Sequence, residues 1–252
     1  MFARRSLIVG LAGAPLAAVL ADPRLARAAA AGLEDVSTTT ASGATVTAAL
    51  ARPAAVPAPA VLLIHEWWGL NDQIKTMAAA FAEAGYLALA VDLYGGKTGA
   101  TPEEAQALMK AVDPAAATEA LGAWIDWLRA SPEGNGKVAT VGWCFGGGWS
   151  LNASLARPVD ATVIYYGNVA KTAADLAPLK GPVLGHFATQ DKFIDKPMVD
   201  GFQQALSEAG KTATIEWYEA DHAFANPSGG RYDEADAALS WDRTLAFLKA
   251  NL

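Results

Sequence analysis

A thiol, an imidazole and two carboxylates stand at the ends of apolar runs in this chain, and together they could cleave an acyl bond. Residues 142–146 read Gly142-Trp143-Cys144-Phe145-Gly146, the pattern G-x-C-x-G, and Gly147 and Gly148 follow. The apolar run Val138-Ala139-Thr140-Val141 precedes the pattern, so Cys144 belongs on a sharp strand-to-helix turn that lifts its side chain above the sheet edge. Small residues on either side let the backbone turn that tightly. A thiol at a helix N-terminus meets free N–H groups and the positive end of the dipole, which favour the thiolate. Cys144 is the only cysteine in the chain. A thiol attacking an ester carbonyl needs a base for its proton, and that base needs a carboxylate to fix its tautomer. His222, in Asp221-His222-Ala223-Phe224, and Asp191, in Gln190-Asp191, follow strand-like runs and suit those two posts.

Each choice has rivals. A lone cysteine is commonly a small buried hydrophobe, but the glycine-flanked turn favours a nucleophile. Of the other histidines, His186 lies within a strand and is expected as a satisfied interior side chain. His65 precedes Glu66 by one residue at a strand end and should face the other way. Asp195 lies four residues beyond Asp191, and Asp221 adjoins His222, where a side-chain hydrogen bond is geometrically awkward. Asp191 directly follows its strand and is preferred.

The spacing predicts the elements that position these groups. Residues 35–40 and 45–50 read as an opening hairpin. The continuous apolar run 60–64 reads as a strand covered on both faces. Helical spacing over 73–84 (Ile74, Met77, Phe81) stops at Gly85, and 86–91 is the next strand. Helices over 102–112 and 114–129 each begin with proline. Strands are expected at 137–141, 161–165, 182–187 and 213–218, with helices over 197–209 and 233–249. Alternating strands and helices imply a mainly parallel central sheet with helices on both faces. Ligands bind such sheets at the carboxyl ends of the strands. Nucleophile, acid and histidine come in the order expected of an α/β-hydrolase fold.

The chain has 252 residues, 52% of them hydrophobic and 18% charged, with a net charge of −7. That supports one sizeable core, and residues 29–252 read as a single domain. No basic stripe suggests nucleic acid. There is no cluster with zinc-ligand spacing and no G-x-x-x-x-G-K phosphate loop, so neither a metal nor another cofactor is expected. Arg4 and Arg5 precede an apolar run over 7–20, and Ala26-Arg27-Ala28 offers a small-x-small cleavage site. Residues 1–28 therefore read as an export signal, and Arg4-Arg5-Ser6-Leu7-Ile8 suggests the twin-arginine type. About 14 apolar residues are too few for a hydrocarbon core that needs roughly 20, so no membrane anchor is expected to remain after cleavage. The mature protein is expected to be periplasmic or secreted, and a monomer. In an oxidising compartment a lone cysteine has no intramolecular disulfide partner, so it is either buried or used.

The combination of Gly142-Trp143-Cys144-Phe145-Gly146-Gly147, His65-Glu66-Trp67-Trp68-Gly69-Leu70, Asp92-Leu93-Tyr94 and Asp221-His222-Ala223-Phe224 resembles the dienelactone hydrolase family of the α/β-hydrolase superfamily, from about residue 32 to the end. The resemblance implies a carboxymethylenebutenolidase-like carboxylic ester hydrolase acting on small esters or lactones. It implies a Cys144–His222–Asp191 triad and a glutamate, Glu66, that holds the resting thiol and helps deprotonate it. An anionic carboxylate beside a thiol disfavours a second negative charge and keeps the thiol neutral. The oxyanion hole would be the backbone N–H groups of Trp67 and Phe145. The resemblance also implies arginines holding a substrate carboxylate, one after Asp-Leu-Tyr and one soon after the catalytic histidine. This chain has Gly95-Gly96-Lys97 and Phe224-Ala225-Asn226 there, with Arg231-Tyr232 beyond. Tyr94, Lys97, Trp68, Phe224 and Arg231 are the candidate substrate contacts. A thiol acyltransferase using the same triad, or a periplasmic binding or redox-sensing protein using Cys144 for oxidation, are the alternatives.

Overall fold

The structure is a computed structural model that describes residue 19 and residues 22–252. Arg4, Arg5 and the apolar run over 7–20, Val19 apart, lie outside the described residues. Pro23–Ala30, which includes the small-x-small triplet, is helix α1. Asp22 caps it, and Ala26 and Ala30 are buried against the helix that starts at Asp72. The Thr76 hydroxyl of that helix donates to the Ala26 carbonyl at 3.0 Å.

Among the described residues, eight strands form one sheet: β1 (Glu34–Thr39), β2 (Thr45–Ala51), β3 (Ala58–Ile64), β4 (Leu87–Val91), β5 (Gly134–Trp143), β6 (Ala161–Tyr165), β7 (Val183–Ala188) and β8 (Ala213–Tyr218). Their order is β1-β2-β4-β3-β5-β6-β7-β8. The hairpin β1–β2 is antiparallel and β2 runs antiparallel to β4; all other pairs are parallel. The helices are α2 (Asp72–Glu83), α3 (Pro102–Ala111), α4 (Pro114–Ala130), α5 (Phe145–Ala156), the short α6 (Ala173–Leu176), α7 (Lys196–Glu208) and α8 (Glu234–Asn251). Local chemistry sets their ends. Asn71, Thr101, Asp113 and Asp195 accept hydrogen bonds from the first turns of α2, α3, α4 and α7, and proline opens α3 and α4.

The period-2 alternation of the strands divides the core. In β3, Val61 and Leu63 face Ile74, Met77 and Phe81 of α2 and Leu248 of α8. Ala60, Leu62 and Ile64 face Leu121, Trp124, Ile125 and Leu128 of α4 on the opposite side. Each such large apolar side chain taken out of water stabilises the fold by about 1.5–3 kcal/mol. The sheet thus carries helices on both faces, the α/β-hydrolase fold.

The topology also says where a site belongs. The chain leaves β3 for β4 on one side and then returns to β5 on the other, so the strand order reverses between β3 and β5. A crevice opens at the carboxyl ends of strands at such a reversal. The register carries it outward: Ile64 pairs with Gly142, Trp143 with Tyr165, Tyr165 with His186, and Ala188 with Tyr218. The residues that follow β3, β5, β6, β7 and β8 therefore emerge along one edge.

Candidate active site

The turn after β5 is built by close approach. A Cβ on Gly142 would lie 1.9 Å from the Gly146 carbonyl oxygen, and one on Gly146 2.1 Å from that of Ile64, so both positions exclude side chains. Cys144 sits between them at φ 55°, ψ −116°, as the N-cap of α5. Its backbone N–H donates to the Tyr165 carbonyl at 3.0 Å, and its carbonyl accepts from Gly147 and Gly148. Its thiol caps nothing and stays free for other contacts. Buried hydroxyls anchor α5 to the sheet: Ser150 donates to the Val163 carbonyl at 2.9 Å, and Thr162 donates to Ser154 at 2.7 Å.

Three sequence candidates meet in one line. His222 Nε2 lies 3.2 Å from Cys144 Sγ, and His222 Nδ1 lies 2.6 Å from Asp191 Oδ2. The other Asp191 oxygen accepts from the backbone N–H groups of Phe193 (2.7 Å) and Ile194 (3.0 Å), which fix the carboxylate. Burial is the largest single effect and opposes charge on both groups, but their mutual hydrogen bond together with the Cys144 contact on His222 and the Phe193 and Ile194 N–H groups on Asp191 outweighs it: His222 is raised above the ordinary imidazole range and Asp191 is held below the ordinary carboxylate range. Asp221 accepts from the His222 backbone N–H at 2.9 Å, and Asp195 caps α7, so neither rival carboxylate orients the imidazole ring. His186 is enclosed within β7, and His65 turns its ring nitrogens to the Glu66 carbonyl and the Leu93 N–H.

Glu66 follows β3 and is buried in the same crevice, where its oxygens accept from the Tyr166 hydroxyl and the Asn226 amide. Burial raises its pKa above the usual carboxylate range. The Phe145 N–H is in the first turn of α5, among the N–H groups that a helix leaves without an internal partner. Trp67 stands across the crevice in a turn closed by the Gly69 N–H to the Glu66 carbonyl, and the Tyr94 hydroxyl donates to the Trp67 carbonyl at 3.1 Å.

These groups open into a cavity of about 890 Å³. Trp67, Trp68, Phe145, Trp149, Tyr166 and Phe193 make it largely aromatic, while Asn152, Asn168, Lys171 and Arg231 add polar groups. Among the described residues, Cys144, Tyr166 and Ala223 are the only non-glycine residues at positive φ, and all three line this cavity. Backbone strain of about 1–3 kcal/mol per residue persists only where the surrounding structure imposes it, and it gathers at functional sites. Among the described residues no group of three or more His, Cys, Asp or Glu could hold a metal ion, and no helix is long and apolar enough to cross a membrane.

Of the five expected substrate contacts, Trp68 and Arg231 line the cavity and three do not. Phe224 is 0% exposed and packs on Tyr166 and Tyr218, because Ala223 at φ 65° turns the chain inward after His222. Tyr94 is buried behind the Trp67 turn, with its ring against His65 and Phe145. Lys97 is exposed, and its carbonyl, not its side chain, approaches the Gly69 backbone. No motif marks Tyr166, although it directly follows β6. Asn226 stands where the resemblance implies an arginine, and Phe193 carries no signal of its own although it follows Asp191 by two residues.

Residues 46–252 match the dienelactone hydrolase family. The chain is 32% identical over 229 residues to a carboxymethylenebutenolidase of Pseudomonas putida, covering 85% of this chain and 95% of that one. It is 27% identical over 225 residues to carboxymethylenebutenolidase 1 of Cupriavidus pinatubonensis, covering 85% and 96%. The crystal structure of a Klebsiella pneumoniae protein assigned as a dienelactone hydrolase superposes with a TM-score of 0.75 at 28% identity, covering 85% of this chain and 98% of that one. The chain belongs to the dienelactone hydrolase family.

Proposed function

We propose that this hydrolase of ester or lactone bonds works through a thioester acyl-enzyme on Cys144. What carries the reading is the continuous hydrogen-bonded line from Asp191 through His222 to Cys144, at the strand-order reversal and inside the aromatic cavity. Cys144 Sγ attacks the carbonyl carbon while His222 Nε2 takes the thiol proton. The N–H groups of Phe145 and Trp67 stabilise the oxyanion that forms. His222 then gives its proton to the departing alkoxide, leaving a thioester. Water, losing a proton to His222, attacks the thioester, and the acid departs as the thiol is restored. Asp191 holds the imidazole in the required tautomer and stabilises the imidazolium at each turn of this cycle. Glu66, buried in the same crevice as the thiol, keeps it neutral until substrate enters.

The aromatic wall favours apolar or aromatic acyl groups on small esters and lactones. The test is a panel of esters and lactones, with and without a carboxylate, assayed on the wild type and Cys144→Ala. Turnover is expected to vanish in the variant, and iodoacetamide is expected to inactivate the wild type, with substrate protecting it. Full activity in Cys144→Ala would overturn the mechanism. Acyl transfer to an added alcohol or amine in preference to water would make the enzyme a transferase. Sulfenate formation at Cys144 without ester turnover would make it a redox sensor. We further propose export, supported by Arg4-Arg5 and the apolar run after them; cell fractionation that leaves the full-length chain in the cytoplasm would overturn it.

A further inference from the structure

The Glu66 carboxyl is 3% exposed, yet neither of its hydrogen-bond partners is a cation. The Tyr166 hydroxyl donates to Oε1 at 3.3 Å and Asn226 Nδ2 donates to Oε2 at 2.5 Å. The amide of Asn226 has one workable orientation. Its Oδ1 accepts from the backbone N–H of Ser228 (2.9 Å) and from the Ser228 hydroxyl (2.6 Å). Turning the amide over would set Nδ2 against that N–H and Oδ1 against the carboxyl of Glu66, a donor facing a donor and an acceptor facing an acceptor. The turn is tied to the site as well, since the Asn226 N–H donates to the carbonyl of Ala223, the residue after His222.

The titratable and charged groups around the Glu66 carboxyl come from three places. Cys144 is at the turn after β5, Tyr166 follows β6, and His222 and Arg231 lie in the loop after β8. His65, on the strand end that carries Glu66, is engaged with the backbone instead. A lysine or arginine in the place of Asn226 would hold Glu66 as an anion. A neutral amide donates a hydrogen bond that favours the anion but brings no charge, and burial outweighs it, so the protonated carboxyl stays accessible.

We propose that Asn226, aimed by Ser228, is a positioning residue that holds Glu66 through a neutral donor, so that the carboxyl can exchange a proton with the Cys144–His222 pair. The exchange balances with His222 as the base: the thiol S–H breaks as His222 Nε2 takes the proton, the imidazolium passes it to the carboxylate as a carboxyl O–H forms, and the negative charge ends on sulfur. Groups coupled in this way titrate together, so a change at Asn226 is read at the thiol. The inference rests on the proposed role of Cys144 as nucleophile.

The test is the pH dependence of Cys144 alkylation by iodoacetamide, with kcat and KM for one neutral ester, in Asn226→Asp, Ser228→Ala and each of these combined with Glu66→Gln. Asn226→Asp keeps the shape but sets a second carboxyl against Glu66. It is expected to move the acid limb of alkylation upward by about one pH unit and to lower kcat about tenfold with little change in KM. Ser228→Ala frees the amide to turn and is expected to give a smaller shift in the same assay. In the Glu66→Gln background both shifts should disappear. Equal shifts with Glu66 present or replaced, or no shift at all, would overturn the proposal; if Asn226→Asp does not fold, Ser228→Ala decides alone. Because alkylation reads the thiol without turnover, an unmoved profile beside a dead Cys144→Ala overturns this inference and spares the acyl-enzyme. A fully active Cys144→Ala overturns the acyl-enzyme first.

Discussion

His222 and His186 are both buried, at 6% and 0% exposure, and each has a hydrogen-bond partner on both ring nitrogens, yet they occupy opposite electrostatic situations. His222 lies between a carboxylate and a thiol, and these raise its pKa against the effect of burial. His186 lies between the hydroxyls of Tyr218 (2.7 Å) and Thr244 (3.0 Å), beneath α8, and burial pushes its pKa down to about 3. The same hydroxyl of Thr244 meets Tyr165, so this second cluster ties β6, β7 and β8 to α8. Burial alone does not make a histidine a base. The charge of its partners decides, and so does access to the cavity, which His222 lines and His186 does not.

The sharpest way to break this comparison is to make the same substitution at both histidines. His222→Gln is expected to lower kcat by roughly a thousandfold or more, with some loss of stability as buried Asp191 loses its partner. His186→Gln is expected to keep kcat within about threefold and to lower stability by about 1–3 kcal/mol, as buried hydroxyls lose their partner. Comparable losses of kcat in the two variants would erase the distinction.

A smaller effect separates them by pH. His65 and His186 have folded pKa values pushed down by burial to about 4 and about 3, so both fold as neutral rings. Their contribution is present above the unfolded value near 6.5 and is lost as pH falls toward those folded values, at up to about 1.4 kcal/mol per pH unit for each group. His222 has the opposite sign: its contribution is full below about 6.5 and is lost as pH rises through its raised folded pKa. Melting curves between pH 7 and pH 4 should therefore show falling stability, with a shallower slope in His186→Gln. An unchanged slope would mean that His186 is not held neutral.

The smallest expected effects lie at the rim. Lys97→Ala should leave KM for carboxylate-bearing esters within about twofold, because the side chain is exposed away from the cavity. Arg231→Ala, which removes a cavity-lining charge, should raise that KM about three- to fivefold and leave neutral esters alone. The reverse ranking in steady-state kinetics would restore Lys97 as the substrate contact.

Much of this molecule can be read from short stretches of chain. Apart from α1 and the short α6, which no periodicity announces, the strands and helices lie within a few residues of where apolar periodicity, helix caps and glycine stops put them, since those are properties of ten or twenty neighbouring residues. Glu66, Cys144, Asp191 and His222 stand out because each follows a strand, and in a mainly parallel sheet the strand ends share one edge. Phe224 and Tyr94, expected as substrate contacts, are instead buried and do not line the cavity. Both lie next to strand ends, but which way a side chain leaves a turn depends on backbone angles such as φ 65° at Ala223, which arise from packing and not from residue type.

Tertiary structure alone decided how the site is completed. Asn226 and Glu66 are 160 residues apart, and they meet only because β3 lies beside β5 and the loop after β8 folds back across the sheet edge. The direction of that amide depends in turn on Ser228, two residues away but with no periodicity to reveal it. The turn at Cys144 is legible in its own glycines, although only Gly142 is required by a contact within the turn and Gly146 is required by the Ile64 carbonyl of β3. The carboxyl beside it is set by pairing and register, which no single stretch of the chain contains.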